Sequence, residues 1–307
     1  MKEARELPRF AVLLAAYNGR SWLPDQVESI LEQDGVDITL FVSVDASSDG
    51  TEAWIQERAE ADMRIQLLPG QQQRQRAAGN FFRLLRETPA EPFEYFAFAD
   101  QDDIWDSDKL AHAVVRLREQ NADAYSSNVC AFWPDGQRRM IVKSQPQRRW
   151  DFLFEAAGPG CTYVFSRRLF EDLQRFAVDH REQLQAVDLH DWFCYAFARA
   201  RGYRWFIDPE AKMAYRQHAR NHVGVNSGIK AVLVRSRRIA EGWWIAQART
   251  IALLLELDGH SFVAKWITPG RRSGYLHLAT HALQCRRRLI DGLFMAAAML
   301  VLCFSNP

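Results

Sequence analysis

The chain has 307 residues, of which 48% are hydrophobic and 25% are charged, so it is long enough to bury a full α/β core. Its five cysteines are scattered with no C-x-x-C pair, so neither a zinc ribbon nor a disulfide framework is indicated, and a reducing cytosol fits. The net charge of +1 is unevenly spread: residues 229–307 hold eleven Lys or Arg and four Asp or Glu, which leaves the first 228 residues at −6.

The first half of the chain alternates short apolar runs with helical stretches, which predicts a sheet with crossover helices. The first apolar run, FAVLLAA, is continuous, as in a strand buried on both faces. The predicted strands are 10–16, 38–45, 65–68 and 95–99. The predicted helices are 22–33, 52–61, 77–86 and 107–120.

The second half continues with a strand at 124–132 and a polar stretch to about residue 149. The GPGC turn at 158–161 either lets backbone approach a ligand closely or begins a strand. The remaining predicted elements are a helix at 190–201, strands at 204–207 and 212–215, and a helical tail.

Polar loops follow three of the predicted strands: AYNG, DASSDG and DQDD. In open α/β sheets, ligands bind beyond the carboxyl ends of the strands. The closely spaced carboxylates of DQDD repel one another, so a divalent cation that holds diphosphate oxygens is one interpretation. The alternative is an acidic turn in which Asp106 or Ser107 caps the next helix.

Asp45 ends the second predicted strand and can accept a hydrogen bond from the imide N–H of uracil or thymine. The backbone around Ala16 and Tyr17 can flank such a base. The alternatives are an Asx-turn at Asp45, since D-x-S-S-D-G favours one, and packing of the Tyr17 ring on the sheet.

Six ordered motifs resemble those of family 2 glycosyltransferases of the GT-A fold, and in particular the bacterial rhamnosyltransferase-like enzymes of lipopolysaccharide and cell-wall polysaccharide assembly. They are AYNG, VDASSDGT, GNF, ADQDDIW, HDW and YRQHARNHVG. The resemblance implies a catalytic domain over 8–225, with a central mixed, mainly parallel sheet flanked by helices. It leaves residues 229–307 as a basic, amphipathic helical region.

The resemblance also implies a role for individual residues. Asp102 is expected to bind Mg²⁺ or Mn²⁺, with His218 as a late ligand near the diphosphate. Asp45 is expected to read the base, Asp100 to lie near the ribose, and Trp105 to pack beside the donor sugar. The full set of expected nucleotide and donor contacts is Ala16, Tyr17, Asn18, Asp45, Arg76, Asp100 and Trp105.

Two of these assignments leave alternatives open. Arg76 would approach the donor phosphates, but Arg74 in the same QQQRQR stretch is nearly as suitable. Asp191 would be the catalytic base that takes the proton of the acceptor hydroxyl. Asp188 and Asp191 are also spaced as N-cap and N3 of a helix, so we expect Asp188 to cap it.

The basic tail is expected to lie on an anionic membrane surface without crossing it. Its Leu-rich stretch mixes arginines with Trp243 and Trp244, and Arg286, Arg287 and Arg288 precede an apolar run shorter than the roughly 20 residues of a spanning helix. The alternative is that these helices pack on the catalytic domain or form a dimer interface. The charged N-terminus predicts no export, so the expected location is the inner face of the cytoplasmic membrane.

These features predict an inverting, metal-dependent transferase that moves a sugar from dTDP-rhamnose or a UDP-sugar to a saccharide acceptor, which we expect to be lipid-linked. No nucleic-acid-binding motif accompanies the arginines, so nucleic acid is not an expected partner. Other hypotheses are a membrane-associated binding protein without turnover, and a nucleotidyltransferase. AAYNGRSW is a poor version of the glycine-rich phosphate loop that the latter needs.

Overall fold

The computed structural model describes residues 6–70, 76–218 and 242–305. The main sheet within these residues has seven strands in the order β10-β6-β9-β4-β1-β2-β3. All neighbouring pairs are parallel except those of β9, which runs antiparallel to β4 and β6. The strands are β1 (Arg9–Ala16), β2 (Asp37–Val44), β3 (Ile65–Leu67), β4 (Tyr95–Asp100), β6 (Ala124–Ser127), β9 (Val164–Ser166) and β10 (Trp205–Asp208).

A second, four-stranded sheet has the order β5-β11-β7-β8. Its strands are β5 (Ile104–Trp105), β7 (Val129–Phe132), β8 (Arg138–Ile141) and β11 (Met213–Arg216). The strand β11 pairs with β5, which directly follows the acidic cluster. The small sheet therefore brings the YRQH motif to the DQDD loop.

Helices cover both faces of the main sheet, so its strands are buried on both sides. The nine α-helices of the described residues are α1 (Leu23–Leu31), α2 (Thr51–Ala61), α3 (Ala77–Glu87), α4 (Lys109–Glu119), α5 (Arg167–Asp179), α6 (His190–Ala200), α7 (Trp243–Leu254), α8 (Arg272–Cys285) and α9 (Leu289–Ser305). Short 3₁₀ turns lie at Asp151–Leu153, Gly160–Thr162, Gln183–Ala186 and Val263–Lys265. Apolar side chains of α1, α2 and α4 form one core, and those of α3 and α5–α9 form the other.

The predicted alternation of strands and helices is confirmed, although the short strands β5 and β8 were not predicted. Two further differences concern the run at 124–132 and the helix α5. The run at 124–132 forms two strands, one in each sheet, because the chain turns at Asn128, whose amide group donates to Ser144 and Pro209. The helix α5 was not predicted. It follows β9 without a turn, since Ser166 ends the strand and its hydroxyl accepts a hydrogen bond from the Leu169 N–H.

The helices α7–α9 share one hydrophobic core with α3, α5 and α6. Ile245 and Ile251 of α7, Leu278 of α8, and Met295 and Met299 of α9 are buried in the same cluster as the inner faces of α3, α5 and α6. The inner side of the C-terminal region therefore packs on the catalytic domain, as one of the alternatives expected.

Several residues that we expected at a membrane surface are bound to protein. Trp243 Nε1 donates to Asp188 Oδ2 (2.6 Å), and Trp244 Nε1 donates to the Phe154 carbonyl (3.1 Å). Arg286 pairs with Glu155 and Asp291. Arg287 is 3% exposed and pairs with Asp151 and Glu155.

Carboxylates thus bind both arginines and the Trp243 indole, and a backbone carbonyl binds the Trp244 indole. Of these four side chains, the buried Arg287 cannot face lipid. Of the three consecutive arginines, only Arg288 is exposed. Arg235, Arg237 and Arg238 lie outside the described residues. Within the described residues, no helix combines the length and apolar character that crossing a membrane requires.

Candidate active site

The carboxyl ends of β1, β2 and β4 bring three polar loops together at one edge of the main sheet. Parallel pairing places Ala16 beside Val44 and Ala15 beside Asp100. Ala16 is 1% exposed, and its carbonyl accepts a hydrogen bond from the Asp45 N–H (2.9 Å). The three loops that follow these strands thus surround one cleft, where α/β folds bind ligands.

Gln101 joins the first of these loops to the third. Its Oε1 accepts a hydrogen bond from the Tyr17 N–H (2.8 Å), and its Nε2 donates to the Tyr17 carbonyl (3.0 Å). Gly19 permits this approach, because a Cβ atom there would lie 2.1 Å from Gln101 Oε1. The bonds fix the backbone beside which the nucleotide base is predicted to lie.

Asn18 joins the first loop to the second. Its φ of 46° is in the left-handed region, which Asn adopts more readily than most residues. Its N–H donates to Ser47 Oγ (3.0 Å), and its Oδ1 accepts from the Ser48 N–H (2.8 Å). A donor contact at Asn18 has to coexist with these bonds.

The turn after β2 is closed by Asp49. Its Oδ1 accepts hydrogen bonds from the Thr51 N–H (3.1 Å) and hydroxyl (2.6 Å), and its Oδ2 accepts from the Arg20 N–H (3.0 Å). This is the side-chain turn that we weighed for Asp45. Asp45 itself directly follows β2 and is 2% exposed.

The acidic cluster at the end of β4 is buried. Burial, together with the neighbouring Asp102 and Asp191, raises the pKa of Asp100 to about 7. Burial also raises the pKa of Asp103 well above its usual range. The capping alternative is not realised, since the N-cap of α4 is Asp108 and no side chain caps this helix. A cluster of this kind favours a bound cation.

One protein cation, Lys109, lies beneath the cluster. It is 1% exposed, its Nζ lies 3.3 Å from the centre of the Trp105 ring, and burial lowers its pKa to about 7. Trp105 is 4% exposed and belongs to the sheet core. The structure thus places Trp105 beneath the cleft, with Lys109 on its ring, and not at the surface where a donor sugar would lie.

Asp102 and His218 form a pair at the surface of the cluster. Asp102 Oδ2 lies 2.7 Å from His218 Nε2, and each side chain is 13% exposed. The imidazole of His218 stacks on the Trp22 indole with 4.0 Å between ring centres and 7° between planes. Arg216 Nε donates to the Asp102 carbonyl (2.9 Å). The two predicted metal ligands are therefore adjacent and held from three sides.

Two sets of residues have the chemistry to hold a divalent metal. Asp100, Asp103 and Cys161 place ligand atoms within 4.8 Å of one another. Burial raises the pKa of Cys161 well above its usual range, so the thiol stays protonated. Its S–H donates hydrogen bonds to the carboxylates. Mg²⁺ and Mn²⁺ prefer oxygen and imidazole to a thiol. Asp102 and His218, with Asp100 beside them, fit these ions better.

Asp191 occupies the first turn of α6, close to the same cleft. Its Oδ1 accepts a hydrogen bond from the Trp192 N–H (2.7 Å). Burial raises its pKa to about 6, while this hydrogen bond and the ammonium of Lys143 act in the opposite direction. A carboxylate with a pKa near the working pH can take a proton and release it again.

Asp188 does not cap α6, and that prediction is wrong. The N-cap is Leu189, and no side chain caps the helix. The Asp188 carboxylate instead binds Arg76 and the Trp243 indole. The Arg76 side chain is 71% exposed and pairs with the loop that leads into α6. Arg74, the other candidate for the donor phosphates, lies outside the described residues.

Comparison with known proteins agrees with this geometry. The family model described as "Glycosyl transferase family 2" matches residues 11–174. Over 292 residues, 95% of this chain and 100% of the relative, the chain is 38% identical to the dTDP-rhamnosyl transferase RfbG of Shigella flexneri. The chain belongs to glycosyltransferase family 2. The predictions of family and of enzyme class are thereby confirmed.

Solved structures show that this glycosyltransferase has the GT-A fold, as predicted. TarS of S. aureus in complex with UDP-GlcNAc aligns with a TM-score of 0.54 and 13% identity, over 96% of this chain and 89% of TarS. The mannosyltransferase PcManGT of Pyrobaculum calidifontis, in complex with GDP-Man and Mn²⁺, aligns with a TM-score of 0.52 and 20% identity, over 98% and 88% of the two chains. At these identities the likeness concerns the fold alone.

Several residues of the glycosyltransferase site were not singled out from sequence. Gln101 and Lys109 belong to the DQDDIWDSDKL run. The polar residues of this run, which follow a buried strand, could have indicated a functional role for both. Trp22 was assigned only to the apolar stripe of α1. Lys143 lies in a polar stretch with no motif, so nothing in the sequence marked it.

Proposed function

We propose that this glycosyltransferase moves L-rhamnose from dTDP-rhamnose, with inversion, to a saccharide acceptor in lipopolysaccharide or cell-surface polysaccharide assembly. The proposal is supported by the full-length likeness to a dTDP-rhamnosyl transferase. Asp45, which directly follows β2 at the same edge of the sheet, would accept the imide N–H of thymine. Because uracil carries the same imide, transfer of a hexose or N-acetylhexosamine from a UDP-sugar is the second candidate.

The observation that carries the proposal is the position of Asp100 between two functional groups. Asp102 and Asp191 both raise the pKa of Asp100, which supports a position of the proposed metal-binding pair and the proposed base near the same carboxyl group. An inverting transfer needs this arrangement, with a base on one side of the sugar and the leaving diphosphate on the other.

In the proposed reaction, Asp191 takes the proton of the acceptor hydroxyl as its oxygen attacks the anomeric carbon. The bond from that carbon to the diphosphate oxygen breaks, and dTDP leaves with the electron pair. A bound Mg²⁺ or Mn²⁺ would neutralise the charge of the diphosphate. Asp102 and His218 would hold it, Asp100 would lie near the ribose, and Arg76 would approach the phosphates.

The first experiment is a donor screen on the purified chain. We expect dTDP with Mn²⁺ to raise the melting temperature more than UDP, GDP or CDP, because a ligand that binds only the folded state stabilises it. Release of dTDP from dTDP-rhamnose should exceed release of UDP from UDP-glucose or UDP-GlcNAc. A preference for the UDP-sugars would transfer the assignment to the second candidate.

We also propose that the C-terminal region rests on the inner face of the cytoplasmic membrane. The outer side of α9 is apolar and exposed at Leu289, Ile290, Leu293, Phe294 and Val301. Exposed basic residues stand at both ends: Arg288 precedes the helix, and Arg271 lies near its end, where Cys303 contacts Arg272. Such a helix suits the boundary between headgroups and acyl chains.

A further inference from the structure

Lys143 lies beside the glycine turn that supports Asp191. Its Cβ and Cγ lie 3.6 and 3.7 Å from the position of a Cβ at Gly158, so the side chain packs on one end of the turn. At the other end, a Cβ at Gly160 would lie 3.1 Å from the Asp191 Cβ. Lys143 and Asp191 therefore flank the same short segment of backbone.

Hydrogen bonds hold the main chain of Lys143, while its ammonium group binds no side chain or carbonyl that the structure describes. Asn128 Oδ1 accepts hydrogen bonds from the N–H groups of Lys143 (2.6 Å) and Ser144 (3.0 Å). Among the residues that the structure describes, the Lys143 ammonium makes neither a hydrogen bond nor an ion pair, and its side chain is partly accessible. A positive charge held in a partly buried place without a partner favours an anionic ligand.

A bound anion would stabilise the charged form of Lys143 against the groups that disfavour it. Burial lowers the pKa of Lys143; Glu155 opposes this, and Arg287 and Arg286 add to it. Glu155 is already shared by both arginines. Asp291, at the start of α9, also acts on the lysine. The lysine is thus close to the junction of α8 and α9, where the exposed apolar face begins.

These features form a continuous series from the cleft to the surface. Asp191 and Lys143 flank the glycine turn at 158–160, and Glu155, which acts on Lys143, pairs with Arg286 and Arg287. The exposed Arg288 and the apolar residues Leu289 and Ile290 follow directly in the chain. A molecule with a saccharide at one end, a phosphate in the middle and a hydrocarbon chain at the other end matches this series.

We propose that Lys143 binds a phosphate group of the acceptor, between the saccharide that meets Asp191 and a lipid chain that lies along α9. The proposal rests on the proposed function, since it assigns the acceptor side of the same site. Lys143 thereby selects acceptors that carry a phosphate ester over neutral saccharides.

The test uses geranyl diphosphate as the probe, with the donor site filled by dTDP and Mg²⁺ so that the probe cannot occupy it. Binding to the full-length chain is measured by calorimetry for wild type, Lys143→Met, Lys143→Arg and Arg139→Gln. Arg139 is an exposed cation of β8, so its replacement removes the same charge away from the cleft. Geraniol serves as the probe without a phosphate.

We expect wild type and the Arg variant to bind geranyl diphosphate, and the Met variant to bind it about tenfold or more weakly, the loss of one charged contact. The Arg139 variant should bind like wild type, and geraniol should not distinguish Lys143→Met from wild type. No binding by wild type, equal binding by Lys143→Met, or an equal loss in the Arg139 variant would overturn the proposal.

Two further readouts separate this proposal from its rivals. If Lys143→Met keeps probe affinity and shifts only the pH profile of transfer, the lysine tunes Asp191 and binds no phosphate. If wild type itself fails to use dTDP-rhamnose, the donor assignment falls while the phosphate-binding result stands.

Discussion

One oxygen of the Asp191 carboxyl group accepts a hydrogen bond from the Trp192 N–H, and the second makes no hydrogen bond to a side chain that the structure describes. This leaves one oxygen for an acceptor proton. Asp191→Asn keeps the shape and the hydrogen bond but cannot take that proton. We expect transfer to fall by about a hundredfold or more. Donor binding, measured by thermal shift with dTDP and Mn²⁺, should remain; a variant that transfers rhamnose at the wild-type rate would show that the base lies elsewhere.

The same residue determines a pH dependence. Burial raises the pKa of Asp191 to about 6, and a general base works only when ionised. Transfer should therefore rise as the pH increases through about 6 and then level off. The ammonium of Lys143 favours the ionised form, so Lys143→Met should move the rise to higher pH. An unchanged profile in Asp191→Glu and Lys143→Met alike would assign the rise to another group.

We expect the metal dependence of nucleotide binding to require Asp102. Its side chain meets His218 at the surface of the acidic cluster, so Asp102→Ala removes one ligand and the partner of the other. We expect the Mn²⁺-dependent part of dTDP affinity to disappear while the fold persists. Asp108→Asn is the matched control, because Asp108 is a nearby exposed carboxylate that pairs with Lys212. Mn²⁺-stimulated binding that survives in Asp102→Ala would place the metal elsewhere.

At the scale of elements, the sequence predicted those parts of the fold that depend on local pattern. The strands of the main sheet are continuous apolar runs, and three polar loops follow strands whose parallel pairing brings them together. The helix α5 escaped prediction because one residue, Ser166, serves as both strand end and helix cap. Nothing between the two elements marks a boundary.

The site was predicted unevenly for a related reason. Asp102, Asp191 and His218 stand in recognisable motifs, whereas Lys143 comes from a polar stretch whose course is fixed by Asn128. The partners of Arg287 could not be foreseen, since Glu155 lies 132 positions earlier in the chain. Contacts between residues so far apart in the sequence depend on tertiary packing, so local patterns in one sequence do not predict them.

The GPGC turn gives a prediction at this scale. A Cβ at Gly160 would lie 2.8 Å from His190 Nε2 and 3.1 Å from the Asp191 Cβ, whereas a Cβ at Gly158 meets nothing closer than 3.5 Å. Gly160→Ala should displace the start of α6 and lower kcat severalfold or more, while Gly158→Ala should not. The comparison is made by transfer kinetics at matched folded fraction. Equal kcat values for the two variants would separate the turn from the positioning of Asp191.

For the whole molecule, the packing of α7–α9 changes how a membrane role can be tested. Removing these helices would expose the core that Ile245, Leu278 and Met299 share with α3, α5 and α6. Truncation would also remove both arginines that pair with Glu155 and would leave the buried Asp151 with Arg199 alone, which is costly. If a truncated chain failed to bind lipid, the cause could be unfolding or the loss of the binding surface, and the experiment would not separate them.

Substitutions on the two sides of α9 avoid this difficulty. Leu293, Phe294 and Val301 are 57%, 66% and 62% exposed, so their replacement by Gln should leave stability nearly unchanged. Met295 and Met299 are buried, so Met299→Ala should lower the free energy of unfolding by about 2–5 kcal/mol, the usual cost of such a core truncation. The pair of variants separates the outer surface of the helix from its contribution to the core.

The final prediction is that the outer side of α9 binds membranes. The helix has 17 residues, about 26 Å at 1.5 Å per residue, against the roughly 20 residues of a spanning segment, so it should lie along the surface. Wild type should co-sediment with phosphatidylglycerol liposomes, and the triple Gln variant should not. Because Arg286 and Arg287 are paired with carboxylates, added salt should weaken binding only modestly. Equal sedimentation of both proteins, or none by wild type, would instead assign the apolar face to a protein interface.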